Sequence, residues 1–405
     1  MLKRVRQFFD TPINGIRLYM LAFMIYFIPA FLIDTTFTTY LSWSKLRLIT
    51  YVAIPLILFK VYILDKWKWW QLLLITGLLI LGTISWRAAH YPEILMMMVF
   101  ILGAKDVPLR KIIEWYFYLS LAMLLVLAAI SLLNIVPNLV YHSMLRPTRY
   151  ALGMAYTTFV ASHFLYIIFA YCYLRFGKMK WYDYIVILLA GIIVMKVTDT
   201  RLDFYETILL IPVMVIAQLA QKGNLYSRIL ASFWWITTPL LAAITLISSY
   251  FYDPKNQIFF KMNSLLSGRL SLSNEAFHRY PVNLFGRKIV EHSFGGTKGA
   301  SFANHNLYEL STNYFYIDSS FVRMLLVWGL LVFVFVIGII VFITIRDTAH
   351  HNYALPAIFL LIAINCVLEP HVLQLIYNPF LIALLATGRI KNQLEKNHNE
   401  FTTYY

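Results

Sequence analysis

From Met324 to Ile345 the chain runs without a single charged residue. A helix rises 1.5 Å per residue, so roughly 20 apolar residues cross the ~30 Å hydrocarbon core of a bilayer, and a run of this length and purity reads first as a membrane span. Comparable runs recur along the chain. They predict spans near 16–33, 46–64, 69–86, 92–104, 112–135, 150–174, 181–197, 203–220, 229–251, 321–345, 353–368 and 373–388. The expected fold is therefore all-α, a polytopic integral membrane protein of about 12 transmembrane helices. The expected membrane domain comprises residues 1–251, with spans 1 to 9, and 321–388, with spans 10 to 12; 252–320 is expected to be a large extracytoplasmic loop and 389–405 a cytoplasmic tail.

Composition agrees with this reading. Of 405 residues 60% are hydrophobic and only 13% charged, against roughly 25% charged in ordinary soluble domains, and mean hydropathy is +0.68. A soluble enzyme is excluded. The net charge of +15 would point to nucleic acid in a soluble chain, but here it is a topology signal, and no nucleic-acid partner is expected. Lys3, Arg4, Arg6 and Arg17, then Lys66 and Lys68, Lys105, Arg110 and Lys111, Arg175, Lys178 and Lys180, Lys222 and Arg228, Arg346, and finally Arg389, Lys391 and Lys396 fall on alternate turns. That side is expected to be cytoplasmic, with both termini on it. The first apolar run lacks a small-residue cleavage site and reads as a retained anchor. Trp67, Trp69, Trp70 and Trp181 border the basic clusters as an interfacial belt. Cys172 and Cys366 both lie in apolar segments, which argues against a disulfide framework or a thiolate metal site.

The segment 252–320 then faces outward, and it is the one connection long enough to hold structure of its own. Leu265, Leu266, Leu270, Leu272 and Phe277 there give one apolar face, so short amphipathic helices over a membrane-embedded cavity are expected. No internal repeat is visible, which weakens a transporter reading.

Topology does not explain the arginines on the outer side: Arg87, Arg146, Arg149 and Arg201, with Arg269, Arg279 and Arg287 in the loop. A guanidinium is charged at any biological pH and binds phosphate oxygens as a planar fork, so the cluster suits a membrane-anchored phosphate or diphosphate; pairing with carboxylates or headgroups is the alternative. Asp199 and Asp203 flank Arg201 and either satisfy it or act as a switchable counter-ion. Their spacing is not that of an Asp-rich magnesium box, and no metal or other cofactor is expected. His278, His305 and His371 lie on the outer side and are either proton carriers or hydrogen-bonded structural residues. Glu369-Pro-His371 interrupts the eleventh span, and a carboxylate there needs a partner such as an outer arginine, or serves in a site. Tyr280, Tyr308, Tyr314 and Tyr316 are amphipathic side chains suited to interfacial anchoring.

These residues resemble those of the Wzy-type polysaccharide polymerases of the O-antigen polymerase and ligase superfamily. The similarity runs through Arg149-Tyr-Ala-Leu-Gly153, Thr198-Asp-Thr-Arg201, Leu266-Ser-Gly-Arg269 with Phe285-Gly286, Tyr316-Ile-Asp318-Ser-Ser with Trp328-Gly329, and Glu369 with Asn378-Pro379. Ser319 stands where many members carry Asn, and Thr157-Thr158 where Pro-Asn is common. The resemblance implies transfer of a growing glycan from one undecaprenyl-diphosphate carrier to the sugar of another, on the outer leaflet of a bacterial plasma membrane. It also implies an inverting course, and a chain-length regulator and a flippase as partners. A ligase with another acceptor, or a flippase, is the alternative. Arg269, Arg201 and Arg149 are then expected on the diphosphate, with Arg146 and Arg279 as further candidates. Asp318 is the first candidate base, with His278, His305 and Glu369 as alternatives, and Tyr280, Tyr314 and Tyr316 are candidates for sugar binding.

Overall fold

The computed structural model describes residues 14–142, 147–305 and 314–387. Among these, nine helices are long and apolar enough to cross a bilayer: Gly15–Ile33, Trp43–Leu64, Trp69–Ala89, Leu109–Leu132, Thr157–Arg175, Trp181–Thr198, Arg201–Gln221, Leu225–Tyr250 and Leu330–Ala349. The protein is thus an all-α polytopic membrane protein, its helices carrying lipid-compatible side chains such as Leu73, Val186, Ile193 and Val334 on their exposed faces. Glu93–Gly103 and Ala354–Leu368 are apolar but shorter, and both are buried along nearly their whole length. Ala354–Leu368 packs against Arg201–Gln221, Leu225–Tyr250 and Leu330–Ala349 at the centre of the molecule.

The expectation of twelve spanning helices is corrected at 373–388. Residues 369–387 form turns and one short 3-10 helix, Phe380–Leu384, and they are buried almost throughout. This segment runs from Glu369 to a pairing of Ala386 with Lys105, where Leu109 N–H donates to Thr387 O. Backbone outside a helix survives at membrane depth only where protein satisfies its polar groups. Asn378 Nδ2 donates to Val372 O, Tyr116 Oη to Tyr377 O, and Arg346 Nη1 to Ala383 O and Leu384 O. The segment is apolar because helices surround it, and hydropathy alone does not separate that cause from contact with lipid.

Two further departures lie nearby. The expected span 150–174 starts as a helix only at Thr157, because Val140–Tyr141 and Arg149–Tyr150 pair antiparallel before it. The expected span 321–345 breaks at Gly329, whose φ of 95° ends a π-helical turn, Met324–Trp328, before the Leu330–Ala349 helix begins. Residues 252–320 hold three short helices among the described residues: Gln257–Leu265, Arg269–Arg279 and Gly296–His305.

The basic clusters meet at one end. Lys105 Nζ donates to Lys66 O, Arg110 Nη1 to Leu174 O, and Lys60 binds Asp65 and Lys105 O. Arg149 and Glu369 meet Arg269, Ser271 and Ser293 of the 252–320 segment around one cavity.

Candidate active site

Arg269 owes its position to a sharp reversal. Ser267 and Gly268 have φ of 53° and 86°, Gly268 N–H donates to Asn263 O, and Arg269 becomes the first residue of its helix. Only glycine takes this left-handed conformation without cost. The Arg269 side chain is 13% exposed; Nε donates to Leu368 O at 2.6 Å and Nη2 to Glu369 Oε1 at 2.8 Å. Asp318 Oδ2 lies 4.0 Å from Nε. Burial works against the Arg269 charge, but Asp318, Glu369 and Asp203 together raise its pKa, so the guanidinium stays charged. Burial also pushes the Asp318 carboxyl above its ordinary value, with Arg269 pulling it back down.

Asp318 is fixed by its neighbours in sequence. Phe315 exchanges two backbone hydrogen bonds with His292, at 2.8 and 3.1 Å. Ile317 N–H donates to Glu291 Oε1, and Arg323 Nη1 donates to both that oxygen and Ile317 O. Ser320 Oγ donates to Glu369 O at 2.6 Å, which ties the Asp318 segment to the Glu369 segment.

Arg269, Asp318 and Glu369 open on a cavity of about 710 Å³. Tyr156, Phe159, Phe294, Tyr314 and Tyr316 give it aromatic walls, while Ser267, Ser271, Ser293 and Gly295 add small and polar surface. Arg149 stands in the same wall, its guanidinium 5.7 Å from the Tyr141 ring and 5.9 Å from the Tyr156 ring, with Nε lacking a hydrogen-bond partner among the described residues. The cavity therefore offers two cations, two carboxylates and several aromatic faces, a set suited to an anionic, sugar-bearing ligand.

The candidates from sequence divide accordingly. Arg149, Arg269, Tyr314, Tyr316, Asp318 and Glu369 line the cavity. Arg201 and Arg279 do not: Arg201 is exposed and pairs with Asp199 at 3.3 Å, and Arg279 pairs with Glu275 and covers the Phe315 ring. His278 is exposed with Nδ1 against Asn274 O, and Tyr280 packs near Phe315, both outside the lining. Arg146 and Tyr308 lie outside the described residues, as does the side chain of His305. Asp203 turns inward and is buried, leaving Asp199 alone with Arg201.

Sequence reasoning missed the Glu291 and Arg323 pair, Tyr156, and the Ser293–Gly295 wall. Arg323 carried a signal, as an arginine within an apolar run. Among the described residues no group of three or more His, Cys, Asp or Glu side chains is arranged to hold a metal ion. No known protein family, no curated protein and no solved structure matches this chain.

Proposed function

We propose that the protein is a polysaccharide polymerase of the bacterial plasma membrane, with both termini in the cytoplasm and the cavity open at the outer leaflet. It transfers a glycan from one undecaprenyl-diphosphate-linked oligosaccharide to a sugar hydroxyl of another. The observation that carries this reading is the guanidinium of Arg269 facing Asp318 and Glu369 in one aromatic-walled cavity. In the reaction the acceptor oxygen forms a bond to the anomeric carbon while the bond from that carbon to the diphosphate oxygen breaks. The electron pair leaves with the diphosphate, where Arg269 and Arg149 meet the developing charge. Asp318 takes the acceptor proton, the aromatic walls hold sugar faces, and attack opposite the leaving group inverts the anomeric centre.

Purified protein in lipid, given undecaprenyl-diphosphate repeat units, is expected to produce a ladder of glycan chains on a gel, and Arg269→Ala is expected to lose it. Folded wild-type protein that makes no ladder from the native repeat unit, but transfers glycan to another lipid or protein acceptor, would replace the polymerase by a ligase.

A further inference from the structure

Glu369 uses its two carboxylate oxygens differently. Oε1 accepts from Arg269 Nη2, while Oε2 faces His371 Nε2 at 3.6 Å, beyond a hydrogen bond. The other imidazole nitrogen, Nδ1, is 2.8 Å from Gln374 Oε1 and so carries the ring proton. That leaves Nε2 a bare acceptor, and it has no hydrogen-bond partner among the described residues although His371 is 1% exposed. Two buried acceptors therefore face each other across a gap that one proton would close. The ring cannot turn away easily, since it stacks on Tyr377 with centroids 3.8 Å apart, and Tyr377 stacks in turn on His163 at 4.0 Å.

The charge around Arg269 gives that gap a use. One guanidinium already faces Glu369 at 2.8 Å and Asp318 at 4.0 Å, with Asp203 adding further negative charge. An incoming diphosphate adds at least two more negative charges to a site where two guanidinium groups, Arg269 and Arg149, already stand with three acids, Asp318, Glu369 and Asp203. Burying that excess is costly unless a carboxylate is neutralised. We propose that Glu369 and His371 form a proton-accepting pair, so that binding of an isoprenoid diphosphate at Arg269 is coupled to uptake of one proton between Glu369 Oε2 and His371 Nε2. The inference rests on the diphosphate reading above. The charged and titratable groups facing the pair are Arg269, Asp318, Asp203, Glu206 and Tyr166 toward Glu369, Arg323 and His163 toward His371, and Tyr377 toward both. Glu206 Oε2 accepts from Asn365 and Tyr377 donates to Asp34, while Glu206 Oε1 has no hydrogen-bond partner among the described residues.

The test is calorimetric titration of the full-length protein in nanodiscs with farnesyl diphosphate, in two buffers of different ionisation enthalpy. Wild type is expected to take up about one proton more than Glu369→Gln, and its affinity to rise about tenfold per unit fall in pH relative to that variant. Asp318→Asn is expected to keep the uptake, and His371→Asn to lose more than half of it. Equal uptake in wild type and Glu369→Gln, or uptake lost in Asp318→Asn and kept in Glu369→Gln, would overturn the pair. Wild type alone decides the case if variants misfold, because no uptake beyond the ligand's own protonation also overturns it. Binding that Arg269→Ala leaves undiminished would instead remove the diphosphate reading at this site, whatever the proton count.

Discussion

The Arg323 guanidinium meets the Glu291 carboxylate in two hydrogen bonds, Nη1 to Oε1 at 2.7 Å and Nη2 to Oε2 at 2.8 Å, with both side chains 5% exposed. Tyr91, Tyr316 and Trp328 present their rings to the same guanidinium. Removing either partner strands a buried charge, which costs about 3–5 kcal/mol. Glu291→Ala and Arg323→Ala are expected to lower the thermal midpoint of the detergent-solubilised protein markedly. Arg323→Lys, which keeps charge but loses the fork, should fall between them and wild type. A midpoint unchanged in Glu291→Ala would show that the pair does not hold the Asp318 segment.

Gly286 and Gly329 approach so closely that a Cβ on either would run into backbone: that of Val327 and Trp328 for Gly286, and that of Leu284 and Gly286 for Gly329. Both also have positive φ, 85° and 95°. Backbone bonds lock the contact, from Arg287 N–H to Val327 O and from Leu330 N–H to Asn283 O. Gly329→Ala therefore meets a clash and a strained backbone together, an overpacking cost of about 1–3 kcal/mol or more. Gly268→Ala, where no atom lies within 4 Å of the added carbon, should cost less because only backbone strain remains. Comparing the two midpoints separates close approach from conformation.

Much of the membrane architecture was legible because a spanning helix must be apolar over its whole length, and among the described residues nine such helices stand where runs of that kind occur. The segment 373–388 was not, since a strand of chain buried among helices has the same hydropathy as one facing lipid. Arg269 was readable as an outer arginine that topology leaves unexplained, Glu369 as a carboxylate at a span end that needs a partner, and Asp318 through the resemblance of Tyr316-Ile-Asp318 to a family motif. Their meeting was not, because turns and tertiary packing bring them together from three separate segments. Arg201 and Arg279 share the residue type of Arg269, but each finds a local acid, Asp199 or Glu275, before it can reach the cavity. Residue type marks a candidate, and the nearest carboxylate decides where it goes.

Asp34, just past the end of the Gly15–Ile33 helix, gives a pH prediction. Burial pushes its pKa from 3.8 up to about 7, against the hydrogen bond from Tyr377, with Glu93 adding to the rise. An acid with a raised folded pKa holds its proton more tightly in the fold than in the unfolded chain. Its contribution is full below about pH 4, declines as pH rises toward 7, and is gone above that. Stability should fall across this window by at most about 1.4 kcal/mol per pH unit. The thermal midpoint of Asp34→Asn, measured from pH 5 to 8, is expected to depend less on pH than that of wild type. Parallel curves would assign the pH dependence to other groups.

The assignment of Asp318 as base makes the sharpest catalytic prediction. A base works only when unprotonated, so polymerisation should fail as pH drops. Because burial lifts the Asp318 pKa, the acid limb should lie above the ordinary carboxylate value of about 3.9. Asp318→Asn is expected to slow chain extension by about 10²- to 10⁴-fold, the usual worth of a positioned base, while diphosphate binding persists because Arg269 keeps Glu369 as its main partner. Arg269→Lys should weaken both binding and turnover, since an ammonium cannot reproduce a fork that already spends Nε on Leu368 O. Rates of single-step extension measured from pH 4 to 9 test all of this at once. An Asp318→Asn protein that keeps both the wild-type rate and the acid limb would move the base away from Asp318.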